Sequence, residues 1–268
     1  MTFRSLKPNT YNLNRLSGIA ISFGGLAILW WLATSGFKLV DPVILPSPQS
    51  VISAGVRLFF KESLLRDSFV TLRRLGISLI LSVAVGLPTG LLLGYYARLY
   101  QKIESFFHAL RSIPATALFP LLLIVVGVGE QSIVFVATYP GLLIILINAA
   151  NGVMLADQRR VRQAEILGMS GWQIISKVLF YESLPLVLSS LRTVVSYALV
   201  LVIAVEMFIG VGENGLGRRI FDLQSSYRIP EAYFVILLTA AVGILLNLFV
   251  SAIEGYLLRW QTGQKQQH

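Results

Sequence analysis

Residues 72–95 read LRRLGISLILSVAVGLPTGLLLGY, a stretch long and apolar enough to cross a bilayer as one helix. A span needs about 20 such residues at 1.5 Å of rise each. Five other stretches share this character: residues 17–37, 113–128, 132–153, 186–211 and 232–258. Hydrocarbon offers no water to satisfy peptide groups, so segments of this kind are stable only as packed helices. The expected fold is therefore all-α and integral to the membrane, with six transmembrane helices. Composition agrees, because only 13% of the residues are charged, against about 25% in a soluble domain.

The formal charge of +9 raises nucleic acid as a partner. The basic residues, however, are scattered among loops and helix ends, which is how membrane proteins hold their orientation. With six spans both ends share a side, and that side collects twelve basic residues against nine on the other. Together with Arg4, Lys7 and Arg15 before the first span, this places both termini in the cytoplasm. That first span runs on past Trp30 and Trp31 without a convincing cleavage site, so it reads as an uncleaved helix rather than a signal peptide.

Between the first two spans, residues 41–66 open with three prolines and then place apolar and charged residues at helical spacing. This is the pattern of an amphipathic helix on a membrane surface. The expected organisation is a cytoplasmic segment 1–16, a first span 17–37, an external amphipathic segment 38–71, a core transmembrane domain 72–258 and a cytoplasmic tail 259–268. The GVGEQ stretch at 127–131 makes a tight hairpin of the third and fourth spans. Pro88, Pro120 and Pro140 lie within spans and bend them.

Several chemistries are excluded. The chain has no cysteine, hence no disulfide, thiol nucleophile or thiolate metal site. Its two histidines, His108 in a loop-like segment and His268 at the end, have no partner at metal-ligand spacing. No span carries a histidine or paired acids, so an intramembrane enzyme lacks its site. Ionisable and polar residues inside spans are candidates for a translocation path. Glu206 is the deepest, and Tyr139, Asn148, Asn247 and Arg192 join it. Helix-to-helix hydrogen bonding is the competing role for the polar ones, and snorkelling to the interface the competing role for Arg192. Glu254 is expected at an interface. Arg73, Arg74, Arg218 and Arg219 near the outer face would attract anions.

A polar segment interrupts the apolar pattern at residues 162–185, RQAEILGMSGWQIISKVLFYESLP. Residues 157–167 form a short helix, Gly168 and Gly171 bracket a turn, and residues 172–181 form a second short helix before Pro185 leads into the fifth span. Met169 and Trp172 supply apolar anchors of the kind that dominate protein interfaces.

This segment resembles the coupling loop of importer-type ABC transporter permeases, whose signature runs Glu-Ala-Ala, three residues, Gly, then a longer stretch closing in Leu-Pro. Here Arg162, Gln163 and Ala164 precede Glu165, Ile166, Leu167 and Gly168, and Leu184–Pro185 closes it. Arg162 and Gln163 depart from the signature. LPSPQSV, LRSIPATALFPLLLIVVGVGE and GENGLGRRI extend the resemblance to the nitrate, sulfonate, taurine and bicarbonate branch.

The resemblance implies a type I importer fold with a two-helix coupling loop over 155–185. Arg162, Gln163, Ala164, Glu165, Gly168, Met169, Ser170, Trp172 and Pro185 would serve that loop. It implies a homodimer in a bacterial inner membrane, gripped by two ATP-binding subunits and fed by an external solute-binding protein. ATP and magnesium would be bound by the partner subunits and no cofactor by this chain, which has no G-x-x-x-x-G-K-[ST] phosphate loop. The branch points to a small oxyanion as solute. A neutral or heterocyclic nutrient such as a pyrimidine precursor is the alternative. A transporter independent of an ATPase would not need the polar loop.

Overall fold

The computed structural model describes residues 10–61, 63–209 and 214–259. Arg4, Lys7, Lys265, His268 and most of the expected terminal segments lie outside them, as does the side chain of Arg15. Every described element is helical. In chain order they are α1 (Thr10–Trp31), α2 (Pro48–Lys61), α3 (Leu64–Tyr95), α4 (Ala97–Ser112), α5 (Ala115–Val125), α6 (Glu130–Met154), α7 (Gln158–Ile166), α8 (Gly171–Ile174), α9 (Phe180–Phe208), α10 (Leu216–Ser225) and α11 (Ile229–Leu257). A π-helical turn, Leu32–Gly36, extends α1, and another, Ile175–Leu179, joins α8 to α9.

Among the described residues, four helices are long and apolar enough to span a membrane: α3, α6, the continuous Gly171–Phe208 and α11. α4 and α5 add a fifth span only if taken together, and they meet at a bend of 84°. The expected third span is therefore corrected. α5 has 11 residues, about 16 Å of helix, roughly half of the hydrocarbon thickness. Ile113 is extended because the following Pro114 disfavours the helical region for it, and Pro114, also extended, starts α5. His108 is likewise not in a loop but in α4, a 16-residue amphipathic helix.

The centre of the bundle is α6, packed between α3 and α9. Of its apolar window 67% is buried, against 6% for α11, which lies at the periphery. Close approach of α3 to α6 depends on glycines four residues apart. A Cβ on Gly90 would stand 2.4 Å from the Leu146 carbonyl oxygen, and one on Gly94 2.7 Å from that of Ala150. Small residues at this spacing let membrane helices gain dispersion contact that lipid cannot supply. Ser82 adds a hydrogen bond across the same interface, donating to the Thr138 carbonyl at 3.1 Å.

α3 begins at Leu64, earlier than the apolar run alone indicated, so residues 64–71 belong to this helix and not to the external segment. The amphipathic helix expected there is α2, whose Val51, Ala54 and Leu58 are buried. α2 packs mainly on α11, and Tyr233 of α11 donates a hydrogen bond to the Ile44 carbonyl at 2.9 Å.

Candidate functional site

Two features stand out at opposite ends of α9 and a third runs along its side. At the first end, α7 and α8 form a knuckle whose turn is specified residue by residue. The Asp157 side chain accepts from the Arg159 amide and caps α7. Gly168, with φ +73°, closes α7: its amide donates to Glu165 and the Met169 amide to Ala164. This pair of bonds is the Schellman motif, which needs a left-handed residue and hence favours glycine. Ser170 then opens α8 with a capping box, its amide donating to Gln173 Oε1 at 2.8 Å. Such reciprocal caps satisfy two amides that the first turn would otherwise leave unpaired.

The knuckle is held to the bundle by Ala164, Ile174, Ile175 and Leu179, buried against Leu91, Val153 and Ala156. Arg160 pairs with Glu182 at 2.6 Å. Arg162, Gln163, Glu165, Gly168, Ser170 and Trp172 are exposed, Met169 is half-buried, and Ala164 is buried. Ile166 is 85%, Leu167 79% and Trp172 72% exposed, an apolar tip that none of the described residues covers. The second short helix expected here is corrected: α8 continues through the π-turn into α9, so the knuckle is the end of one 38-residue helix. Pro185 consequently lies inside α9 rather than before it.

At the other end Glu206 is buried to 1%. Its carboxylate accepts from Arg74 Nη1 at 2.7 Å, from Thr71 Oγ1 at 2.9 Å and from the Gly217 amide at 2.9 Å. Thr71 in turn accepts from the Leu216 amide. The carboxylate and threonine thus meet the free amides of the α10 N-terminus, where negative charge is stabilised. Glu130 ties Arg74 and Arg73 to the start of α6. Asp67 holds Arg219 of α10 at 2.7 Å, and Asp222 holds Arg218 at 2.9 Å. The four arginines expected to draw anions are therefore each paired with carboxylate.

Along α9, Ser189, Arg192, Thr193, Ser196, Tyr197 and Val200 form one exposed stripe. Spacings of three and one repeat there, so all six share a helix face. Two clefts flank it. On the α11 side, Arg192 and Asn247 line a cleft with Thr193 and Tyr197. Arg192 pairs with Glu254, and Asn247 donates to Ser196 Oγ at 2.8 Å. Arg192, a path candidate with snorkelling as its competing role, thus has a carboxylate of α11 as its partner. On the α6 side, Asn148, Arg111, Thr193 and Tyr197 line a second cleft.

Of the five path candidates, Arg192, Asn247 and Asn148 thus gather on the stripe. Tyr139 packs in the core and donates to the Leu110 carbonyl at 2.7 Å, beside Arg111. Glu206 stands apart, about 20 Å of helix from Thr193. Sequence reasoning missed Thr71, Arg74 and Glu130 as a cluster, because they come from separate helices. It also missed Arg111, Thr193 and Tyr197, although the hydroxyl periodicity of α9 was visible in the sequence.

Known proteins share this architecture. The chain is 29% identical over 249 residues to an ABC transporter permease protein of Brucella abortus (strain 2308), covering 93% of this chain and 95% of that one. It is 28% identical to the taurine transport system permease protein TauC of Escherichia coli K12, with 90% of each chain covered. It is 27% identical to the nitrate import permease protein NrtB of a Synechocystis strain, with 88% and 86% covered. A chain of the MetNI methionine ABC transporter superposes with a TM-score of 0.62 at 23% identity, over 73% of this chain and 96% of that one, so the two share a fold. The sequence profile of one family matches residues 86–262, and this multi-pass membrane permease belongs to that family, the binding-protein-dependent transport system inner membrane components.

Proposed function

We propose that the chain is the translocating subunit of an ATP-driven importer for a small oxyanion of the sulfonate, nitrate or bicarbonate kind. The observation that carries the reading is the exposed stripe of α9. A membrane helix that leaves an arginine and four hydroxyls uncovered along one face cannot present that face to lipid at acceptable cost. A second copy of the chain facing it would enclose a polar path, hence a homodimer. α1 and the α4–α5 pair, added to the four long helices, make six spans with both termini on the knuckle side, in the cytoplasm.

In this arrangement two ATP-binding subunits grip the exposed tip of the 155–185 loop, and an external solute-binding protein delivers the anion at the α10 end. ATP and Mg²⁺ belong to the partner subunits. The loop transmits their closure because α8 and α9 are one continuous helix, so displacement at Trp172 moves the stripe as a rigid element. A ligand that binds one state of such an element better shifts its population. Relatives named for taurine and nitrate support the oxyanion.

The test is reconstitution with the co-encoded ATPase and binding protein, reading ATP hydrolysis against nitrate, taurine, aliphatic sulfonates and bicarbonate, with a pyrimidine precursor as the neutral control. Stimulation by one anion and none by the control is the expected result. Stimulation by the neutral solute alone would replace the substrate class, and absence of ATPase binding would remove the importer reading.

A further inference from the structure

The two clefts beside the α9 stripe differ in charge. Thr193 and Tyr197 line both. In the α11-side cleft the guanidinium of Arg192 is neutralised by Glu254. The α6-side cleft contains Arg111 and no carboxylate. Among the described residues, Arg111 makes no ion pair, and the hydroxyls of Thr193 and Tyr197 have no hydrogen-bond partner. Asn148 donates through its side-chain nitrogen to the Ile144 carbonyl at 2.8 Å, which leaves one amide N–H to spare. A cation and three sets of unspent donors therefore converge on one cavity of 460 Å³, within the range of small-molecule sites. Every other arginine named in these sites, apart from Arg159 and Arg162 on the exposed loop, is matched by an acid.

We propose that this cleft is an anion-binding station inside the permease, with Arg111 as counter-charge and Thr193, Tyr197 and Asn148 as donors to the oxygens of a sulfonate, nitrate or carbonate-like anion. This rests on the reading of the stripe as the path and adds to it a residue-level site. Selection would then not be left wholly to the external binding protein. Planar guanidinium suits a planar or trigonal oxyanion because two parallel N–H groups meet two oxygens. The Tyr139 bond to Leu110 fixes the end of α4 and so positions Arg111.

The chain contains no cysteine, so a single reporter can be placed by Thr193→Cys. In nanodiscs of zwitterionic lipid, the rate of its modification by anionic sulfonatoethyl methanethiosulfonate is compared with that by the cationic trimethylammonioethyl reagent. The anionic preference is expected to fall about tenfold in Arg111→Gln, as local charge sets local counter-ion concentration, and to survive in Arg111→Lys. Nitrate or taurine should slow the sulfonate reagent. Ser189→Cys provides the same readout if Thr193→Cys fails to fold.

An unchanged ratio in Arg111→Gln overturns the proposal. So does loss of the preference on adding phosphatidylglycerol without competition by free anions, which would make the cleft a lipid-headgroup site. Stimulation of the ATPase by binding protein, measured on the unaltered chain, reports separately on the importer reading.

Discussion

Arg74 of α3 and Glu206 of α9 meet at 2.7 Å with side chains only 2% and 0% exposed. The pair fastens the first and last thirds of the chain together and, through Gly217, the start of α10 to both. Burying two charges is costly unless each is fully hydrogen-bonded, and here Thr71, Glu130 and the α10 amides complete the set.

Removing one partner would strand the other. Glu206→Ala is expected to destabilise the chain by about 3–5 kcal/mol, seen as a large fall in melting temperature in detergent. Arg74→Met combined with Glu206→Leu should recover part of that loss. If Glu206→Ala melts normally but changes transport, Glu206 lines the path instead.

Close contact of α3 with α6 makes its own demand. Gly90→Leu would drive a side chain into the Leu146 carbonyl, already 2.4 Å from a bare Cβ. Backbone cannot yield as a flexible side chain can, so the folded yield should collapse. Gly76→Leu, on the same helix with open space around it, should be tolerated. Size-exclusion recovery of the two variants is the comparison.

At the knuckle, Gly168→Ala meets no clash but forces a left-handed conformation costing about 1–2 kcal/mol. The fold should be kept and the melting temperature fall by only several degrees, while binding-protein-stimulated ATP hydrolysis drops. Trp172→Ala should weaken ATPase binding by about 2 kcal/mol, the scale of an aromatic anchor. Equal affinity in pull-down titration would mean that the partner docks elsewhere.

Tyr100 offers a change in the opposite direction. Its hydroxyl is buried without a hydrogen-bond partner among the described residues, and its ring stacks on Phe107. An unsatisfied buried polar group costs about 1–3 kcal/mol, so Tyr100→Phe should leave the melting temperature equal or higher. A clear decrease would reveal a partner for that hydroxyl.

The polar knuckle of residues 155–185 was legible for a local reason. Schellman glycine, capping serine and the apolar anchors are all within ten residues of one another, and each acts through bonds to its near neighbours. The glycines of α3 recur every four residues and carried a packing signal that hydropathy overlooked. α4 was hidden because its mixed surface has low hydropathy, although its amphipathic spacing is that of a helix. α10, only 10 residues long, was visible as a motif and a pair of arginines but not as a helix.

The sequence by itself determined the membrane class, the four long spans, the polar knuckle and its turn, since these follow from apolar run length and from local backbone chemistry. Tertiary structure alone decided which charges are spent and which remain. Arg74, Arg192 and Arg111 look alike along the chain, yet Glu206 arrives from 132 residues away and Glu254 from 62, while no carboxylate lines the cleft of Arg111. Electrostatic identity in a membrane depends on the nearest opposite charge in space, and chain order does not encode that distance.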